Sequence, residues 1–105
     1  MSMLEKYIEA EVCSYARKKD LLVYKFTSPA RAAVPDRMFI TQDGRVFFCE
    51  FKAAGKKPTP AQAREHQRLR QSKVNVFVID SVDEGKVMID VMVMGLNNAD
   101  TRPAP

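Results

Sequence analysis

Val34-Pro35-Asp36-Arg37-Met38-Phe39-Ile40-Thr41-Gln42-Asp43-Gly44-Arg45-Val46-Phe47-Phe48-Cys49-Glu50-Phe51-Lys52 is the stretch that decides how this chain folds. Phe39-Ile40 and Val46-Phe47-Phe48 are short apolar, aromatic runs on either side of Gln42-Asp43-Gly44, a pattern that predicts an antiparallel hairpin. A three-residue loop with Gly44 in the left-handed conformation sets Thr41 opposite Arg45. Continued down the ladder, that register places Asp36 across from Glu50, and directly opposed residues project from one face of a sheet. Strand side chains alternate, so Lys52 shares the face of Glu50 and Phe48, while Phe47, Cys49 and Phe51 turn to the packing side. A one-residue slip would part the carboxylates. In that case Asp36 only starts a turn after Pro35, and Glu50 and Lys52 form an ordinary ion pair.

Working outward toward the N-terminus, Met3 to Lys19 shows helical periodicity through Leu4, Tyr7, Ile8, Val12 and Tyr15. At roughly 100° per residue, Glu11 falls inside this apolar stripe, whereas Glu5 and Glu9 fall toward its polar edge. A carboxylate in the stripe needs a buried cation or hydrogen-bond partner, because leaving it alone is costly or forces it to take up a proton. A metal site supplies such a partner. The alternative is a glutamate at the stripe edge reaching water.

Toward the C-terminus, Leu21 to Phe26 reads as a strand, and Thr27 to Val34 as the loop leading to Asp36. Thr59 followed by Pro60 is good helix-start chemistry, which predicts a helix from Pro60 to about Ser72. Val74 to Asp80 is a branched, apolar strand. A strand, a helix and a strand in this order form a crossover unit with parallel strands, so the sheet is expected to be mixed. Ser81-Val82-Asp83-Glu84 resembles a capping box, while Gly85 and the branched run Val87 to Val93 favour a strand. Residues 1–94 are expected to form one domain, and residues 95–105 a disordered tail.

The Val-Pro-Asp-Arg string at 34–37, the Glu-Phe-Lys string at 50–52 and the upstream Glu11 resemble the PD-(D/E)xK nuclease superfamily. Within it the chain is similar to the VRR-NUC (virus-type replication-repair nuclease) family. That domain is about this length, occurs alone in phage proteins and fused in repair enzymes, and carries a Thr-Pro helix start followed by a glutamine, here Lys57-Pro58-Thr59-Pro60-Ala61-Gln62. The resemblance spans Met3 to Asp80. It implies Asp36 and Glu50 as metal ligands, the backbone carbonyl of Phe51 as another, and Glu11 as an acid of the metal shell. Lys52 would be the catalytic lysine and Gln62 an accessory active-site residue. The implied fold is α/β: a restriction-endonuclease-like core, a mixed sheet in αβββαβ order, and a C-terminal helix from the ambiguous segment after Ser81. The implied activity is a Mg2+- or Mn2+-dependent endodeoxyribonuclease. Standalone members are similar to Holliday junction resolvases, which implies a homodimer cutting branched DNA, since two symmetric cuts match a twofold pair.

The chemistry agrees with the resemblance. Magnesium takes hard oxygen ligands and keeps several waters, so two or three carboxylates suffice, and Lys52 can orient an attacking water or neutralise developing charge. Manganese should substitute. Zinc fits poorly, because the one histidine is His66, and Cys13 and Cys49 have no ligand spacing. His66 lies one helical turn beyond Gln62 and reads as a solvated surface histidine, outside the site.

The net charge of +4 and pI near 9.2 favour an anionic partner. Arg31, Arg37, Lys56, Lys57 and Arg64 are the candidate DNA contacts, directed at phosphate rather than base. Arg31 and Arg37 could equally pair with neighbouring acids, and charge runs often only solvate a face. Cys13 and Cys49 read as small hydrophobes. Their lack of a disulfide pattern, with no secretory leader and no apolar run near 20 residues, places the chain in the cytoplasm with no membrane partner, a bacterial host cell's if the chain is phage-encoded. The competing readings are a flap or nicking nuclease using the same residues, and a non-catalytic DNA-binding module that has kept the fold.

Overall fold

Ser2 opens the first helix, its hydroxyl accepting the Glu5 N–H at 3.1 Å, and α1 then runs Met3–Lys18. The computed structural model describes residues 2–101, with side chains described through residue 95. α1 ends in a reversal: the Leu21 N–H returns to the Ala16 carbonyl and the Asp20 N–H to Arg17, with Asp20 left-handed at φ 65°. The second helix, α2 (Pro60–Gln71), ends in the same way through Val74 and Lys73, the latter at φ 69°. Each reversal sends the chain into a strand: β1 (Leu22–Lys25) follows α1, and β4 (Asn75–Ile79) follows α2.

Between these lies the hairpin, β2 (Arg37–Ile40) and β3 (Val46–Phe51). Its turn is the expected one: Gly44 is at φ 86°, and the Thr41 N–H donates to the Arg45 carbonyl at 2.9 Å. Ile40 pairs with Val46, Phe39 with Phe47, Met38 with Phe48 and Arg37 with Cys49, which is the register expected from the turn. The sheet order is β1-β2-β3-β4; β1 and β3 run antiparallel to β2, and β3 pairs parallel with β4 across the α2 crossover. The mixed sheet, the αβββαβ order and the C-terminal helix all stand as expected.

Alternation along β3 separates two faces. Phe47, Cys49 and Phe51 are fully buried with Phe39 and Ile79 against Ile8, Val12 and Ala16 of α1 and Met88, Ile89 and Met92 of the last helix, α3 (Val82–Thr101). Phe48 and Glu50 face the other way, toward α2, where Phe26 also packs on Phe48 at 4.9 Å between ring centroids.

The segment after Ser81 is helical because both end chemistry and burial favour it. Ser81 Oγ accepts the Glu84 N–H at 3.1 Å, and Gly85, Met88, Ile89 and Met92 are buried at helical spacing. Gly85 is explained by close approach: a Cβ there would stand 2.2 Å from Val12 Cγ2. α3 passes Gly95, where the sequence suggests a tail, and is described through Thr101. The remainder of the expected disordered tail, residues 102–105, lies outside the described residues.

The rotation of α1 departs from expectation. Its buried face is Ile8, Glu9, Val12, Cys13 and Ala16, while Leu4 is 50% and Tyr7 57% exposed. Apolar residues ring so much of this helix that the aromatic and aliphatic side chains of its outer face pass for the core stripe.

Candidate active site

Asp36 and Glu50 meet because the hairpin register carries them to one end of one sheet face. Asp36 is anchored twice: its carbonyl accepts the Phe26 N–H at 2.9 Å, and its Oδ2 accepts the Phe51 N–H at 2.8 Å. Glu50 is 2% exposed. Its Oε2 accepts from Gln62 Nε2 at 3.2 Å and stands 4.0 Å from Lys52 Nζ, while Oε1 faces His66 Nε2 at 3.6 Å.

α2 delivers its two residues by local chemistry. Thr59 Oγ1 accepts the Gln62 N–H at 3.2 Å, and Gln62 Oε1 accepts the Thr59 N–H at 2.9 Å, closing a capping box. Gln62 therefore has its carbonyl oxygen tied to the helix start and its amide nitrogen free to hold Glu50. His66 follows one turn later on the same face.

The electrostatics follow from the crowding. Burial pushes the Glu50 carboxyl up to about 8, the adjacent Asp36 carboxyl adds to this, Glu5 contributes more negative charge, and Lys52 opposes. Alone, the pair resists carrying two negative charges. A divalent cation relieves that strain, so the donor set fits one: Asp36 and Glu50 would hold it, with the Phe51 carbonyl as the further oxygen that the family resemblance implies. Among the described residues, no three His, Cys, Asp or Glu side chains are arranged as a ligand group. Two carboxylates suit magnesium, which retains several waters, better than an all-protein cage would.

Asp36, Glu50, Lys52 and Gln62 are thus brought together. Glu11 is not. It lies about 200° around α1 from Glu9 and is half-buried on the outer side, near the positions of Leu4 and Tyr7. The α1 acid whose charge reaches Glu50 is Glu5, and the one that is buried is Glu9, at 7% exposure. Both belong to the face set aside as solvated by a stripe centred on Leu4, Tyr7 and Tyr15. The spacing of Ile8, Val12 and Ala16 alone would have pointed to it.

Arg37, expected as a DNA contact, is turned away from the carboxylate face and engaged by an acid. Its Nε donates to Glu9 Oε2 at 2.7 Å beneath the sheet, on the packing side, so the guanidinium next to Asp36 ties β2 to α1. Arg31 also has an acid partner, donating to Glu65 Oε1 at 3.3 Å, but remains half-exposed. With Arg64 and Arg68 it lines a cleft of about 370 Å3 between the loop before Asp36 and α2. Lys56 and Lys57 are exposed beyond the end of β3.

His66, expected on the solvated surface, is instead 1% exposed and faces the site. Burial first, then the Arg70 and Lys52 charges, lowers its pKa from the ordinary histidine value, so the ring is held neutral. The available signal was the poverty of α2 in apolar residues. With only Leu69 and small alanines among its apolar residues, α2 offers positions 62, 65, 66 and 69 as one stripe along a single face. Cys13 and Cys49 are core thiols, with burial pushing Cys13 up to about 11 and Cys49 well above its ordinary value.

No family model matches the chain. It is 44% identical over 84 residues to the protein named "Putative nuclease p44" of Acyrthosiphon pisum secondary endosymbiont phage 1, a match spanning 80% of this chain and 90% of that protein. A solved structure described as a VRR_NUC domain superposes with a TM-score of 0.79 and 30% identity, covering 85% of this chain and 97% of its own. A second, a VRR_NUC domain protein, gives a TM-score of 0.70 at 16% identity, with 89% and 92% covered, and shares the fold. With the motif residues gathered as described and this likeness running through nearly the whole domain, the chain belongs to the VRR-NUC family of nucleases.

Proposed function

We propose that this protein is a Mg2+- or Mn2+-dependent, structure-selective DNA endonuclease that acts as a homodimer on four-way junctions, in the manner of a Holliday junction resolvase. The observation that carries this reading is the Asp36–Glu50 pair beside Lys52, in which Glu50 is pushed up to about 8 by burial and by Asp36. A bound divalent cation would lower the pKa of a coordinated water and offset charge at the phosphate. The chain's own groups do the rest. Asp36 and Glu50 present hard oxygens, Gln62 holds one Glu50 oxygen in place, and Lys52 is positioned to neutralise charge developing on the phosphate.

The arginines of the cleft (Arg31, Arg64, Arg68), with Lys56 and Lys57, support a phosphate track leading past the site, consistent with the net charge of +4. Val87, Val91 and Met94 are exposed at one-turn spacing on α3, an apolar stripe of the kind a second copy covers, which supports a dimer. Buried, unpaired Cys13 and Cys49 suit the reducing cytoplasm of a host cell. A flap or nicking nuclease would use the same cluster as a monomer.

Cleavage of labelled four-way junction, flap and linear duplex DNA with Mn2+ or Mg2+, beside EDTA and a Glu50→Ala variant, decides between them. Paired symmetric cuts at the junction, lost in EDTA and in the variant, are expected. Cutting confined to flaps or nicks would overturn the junction reading and keep the nuclease. Salt-sensitive binding with no cutting under any condition would leave a non-catalytic DNA-binding module.

A further inference from the structure

Two buried side-chain atoms, Glu50 Oε1 and His66 Nε2, lack a hydrogen-bond partner among the described residues, and they face each other at 3.6 Å. Buried polar groups are otherwise satisfied almost without exception, so two orphans aimed at one another at this distance are placed to satisfy each other. A movement of about 0.6 Å brings the pair within hydrogen-bond range. Glu50's other oxygen, Oε2, is already held by Gln62 Nε2 at 3.2 Å. Gln62 and His66 are one turn apart on α2, and so the same helix addresses both oxygens of one carboxylate.

We propose that His66 is a positioning residue: its Nε2–H donates to Glu50 Oε1, and with Gln62 it clamps the carboxylate beside Asp36 in the orientation that receives a divalent cation. The clamp has a physical purpose. Asp36 and Glu50 repel one another, and a glutamate with three side-chain torsions can relieve that repulsion by swinging away; donors on both oxygens, fixed on a rigid helix, prevent it. Partners standing behind a ligand characteristically change metal affinity by about 10- to 100-fold when removed.

The inference rests on the metal-dependent reading above, and metal binding without DNA tests the two separately. Free Mn2+ is followed by electron paramagnetic resonance during titration of wild type, Glu50→Gln, His66→Leu, His66→Met and His66→Gln, with folding checked by circular dichroism. The amide nitrogen of a glutamine reaches nearly the position of Nε2, whereas leucine and methionine fill the space without a donor. The expected result is a Mn2+ affinity about 10-fold weaker in whichever of the leucine and methionine variants folds, and within about threefold of wild type in His66→Gln. Wild-type affinity in the folded leucine or methionine variant overturns the proposal. So does a glutamine variant as weak as those two, which would reduce His66 to space-filling. If wild type shows no Mn2+ binding that Glu50→Gln removes, the metal-dependent reading falls and this proposal with it; the other adverse outcomes leave that reading standing.

Discussion

Arg37 donates to Glu9 across 2.7 Å, joining the residue after Asp36 to the helix on the opposite side of the sheet. The pair is mostly buried, with side chains 20% and 9% exposed. It fixes β2 against α1 and thereby the position from which Asp36 leaves the strand. A motif that reads as chemistry on one side of the sheet is therefore braced by electrostatics on the other.

Removing one partner leaves the other charge uncompensated. Glu9→Ala is expected to destabilise the fold by about 3 kcal/mol, and the double replacement Glu9→Leu with Arg37→Met to recover most of the loss, because apolar groups of similar size need no partner. Urea unfolding of the three proteins checks this. If Glu9→Ala unfolds at the wild-type midpoint, the pair has no bracing role.

Glu50 makes the stability of the cation-free protein fall as pH rises. Its ordinary value is 4.5 and folding raises it to about 8. Between those values the unfolded chain has lost the proton and the folded chain keeps it, so stability falls as pH rises through this window and levels off above it. Glu50→Gln lacks the titration. In EDTA it should therefore gain on wild type as pH rises, by on the order of 4 kcal/mol at pH 8, with no such gap below pH 4.5. Urea melts at several pH values measure the gap, and one that stays constant would mean that Glu50 titrates normally. Cation binding should release a proton below pH 8 for the same reason.

Gly85 tests the packing of α1 on α3. Alanine is the better helix former by about 1 kcal/mol, yet Gly85→Ala is expected to destabilise by about 1–3 kcal/mol, since the added Cβ would stand 2.2 Å from Val12 Cγ2. Adding Val12→Ala should restore part of the loss. A stabilised single variant would mean that the two helices can move apart freely.

Asp36→Ala and Lys52→Ala should each fold and each lose junction cleavage by on the order of 10³-fold. Asp36→Ala also removes the acceptor of the Phe51 N–H, so its thermal midpoint should fall by a few degrees, while that of Lys52→Ala holds within about 2 °C. Cleavage rates beside melting curves separate the two effects. Wild-type rates in either variant would strip that residue of its role.

The hairpin was legible because turn chemistry is local. Gly44 between two aromatic runs dictates the loop, the loop dictates the register, and the register places Asp36 opposite Glu50 without reference to the rest of the molecule. The α2 start was legible for the same reason, since Thr59, Pro60 and Gln62 close their capping box within four residues. The segment after Ser81 was balanced between helix and strand, because valine, isoleucine and methionine suit both; burial against α1 through Gly85 resolved it.

Elements whose geometry closes within a few residues are written in the local chain: the hairpin and its register, the helix caps, the crossover order, and the carboxylate pair with its lysine and glutamine. Which way each helix is turned about its axis comes from long-range packing. α1 carries apolar residues around most of its circumference, so its periodicity offers two stripes, one through Leu4, Tyr7 and Tyr15 beside Glu11 and one through Ile8, Val12 and Ala16 beside Glu5 and Glu9, without ranking them. The choice came from partners distant in sequence, Gly85 against Val12 and Arg37 against Glu9. α2 carries almost none, so the burial of His66 depended on Glu50 lying beneath it. A helix's rotation is set by what it packs against, and that information is not contained in the helix.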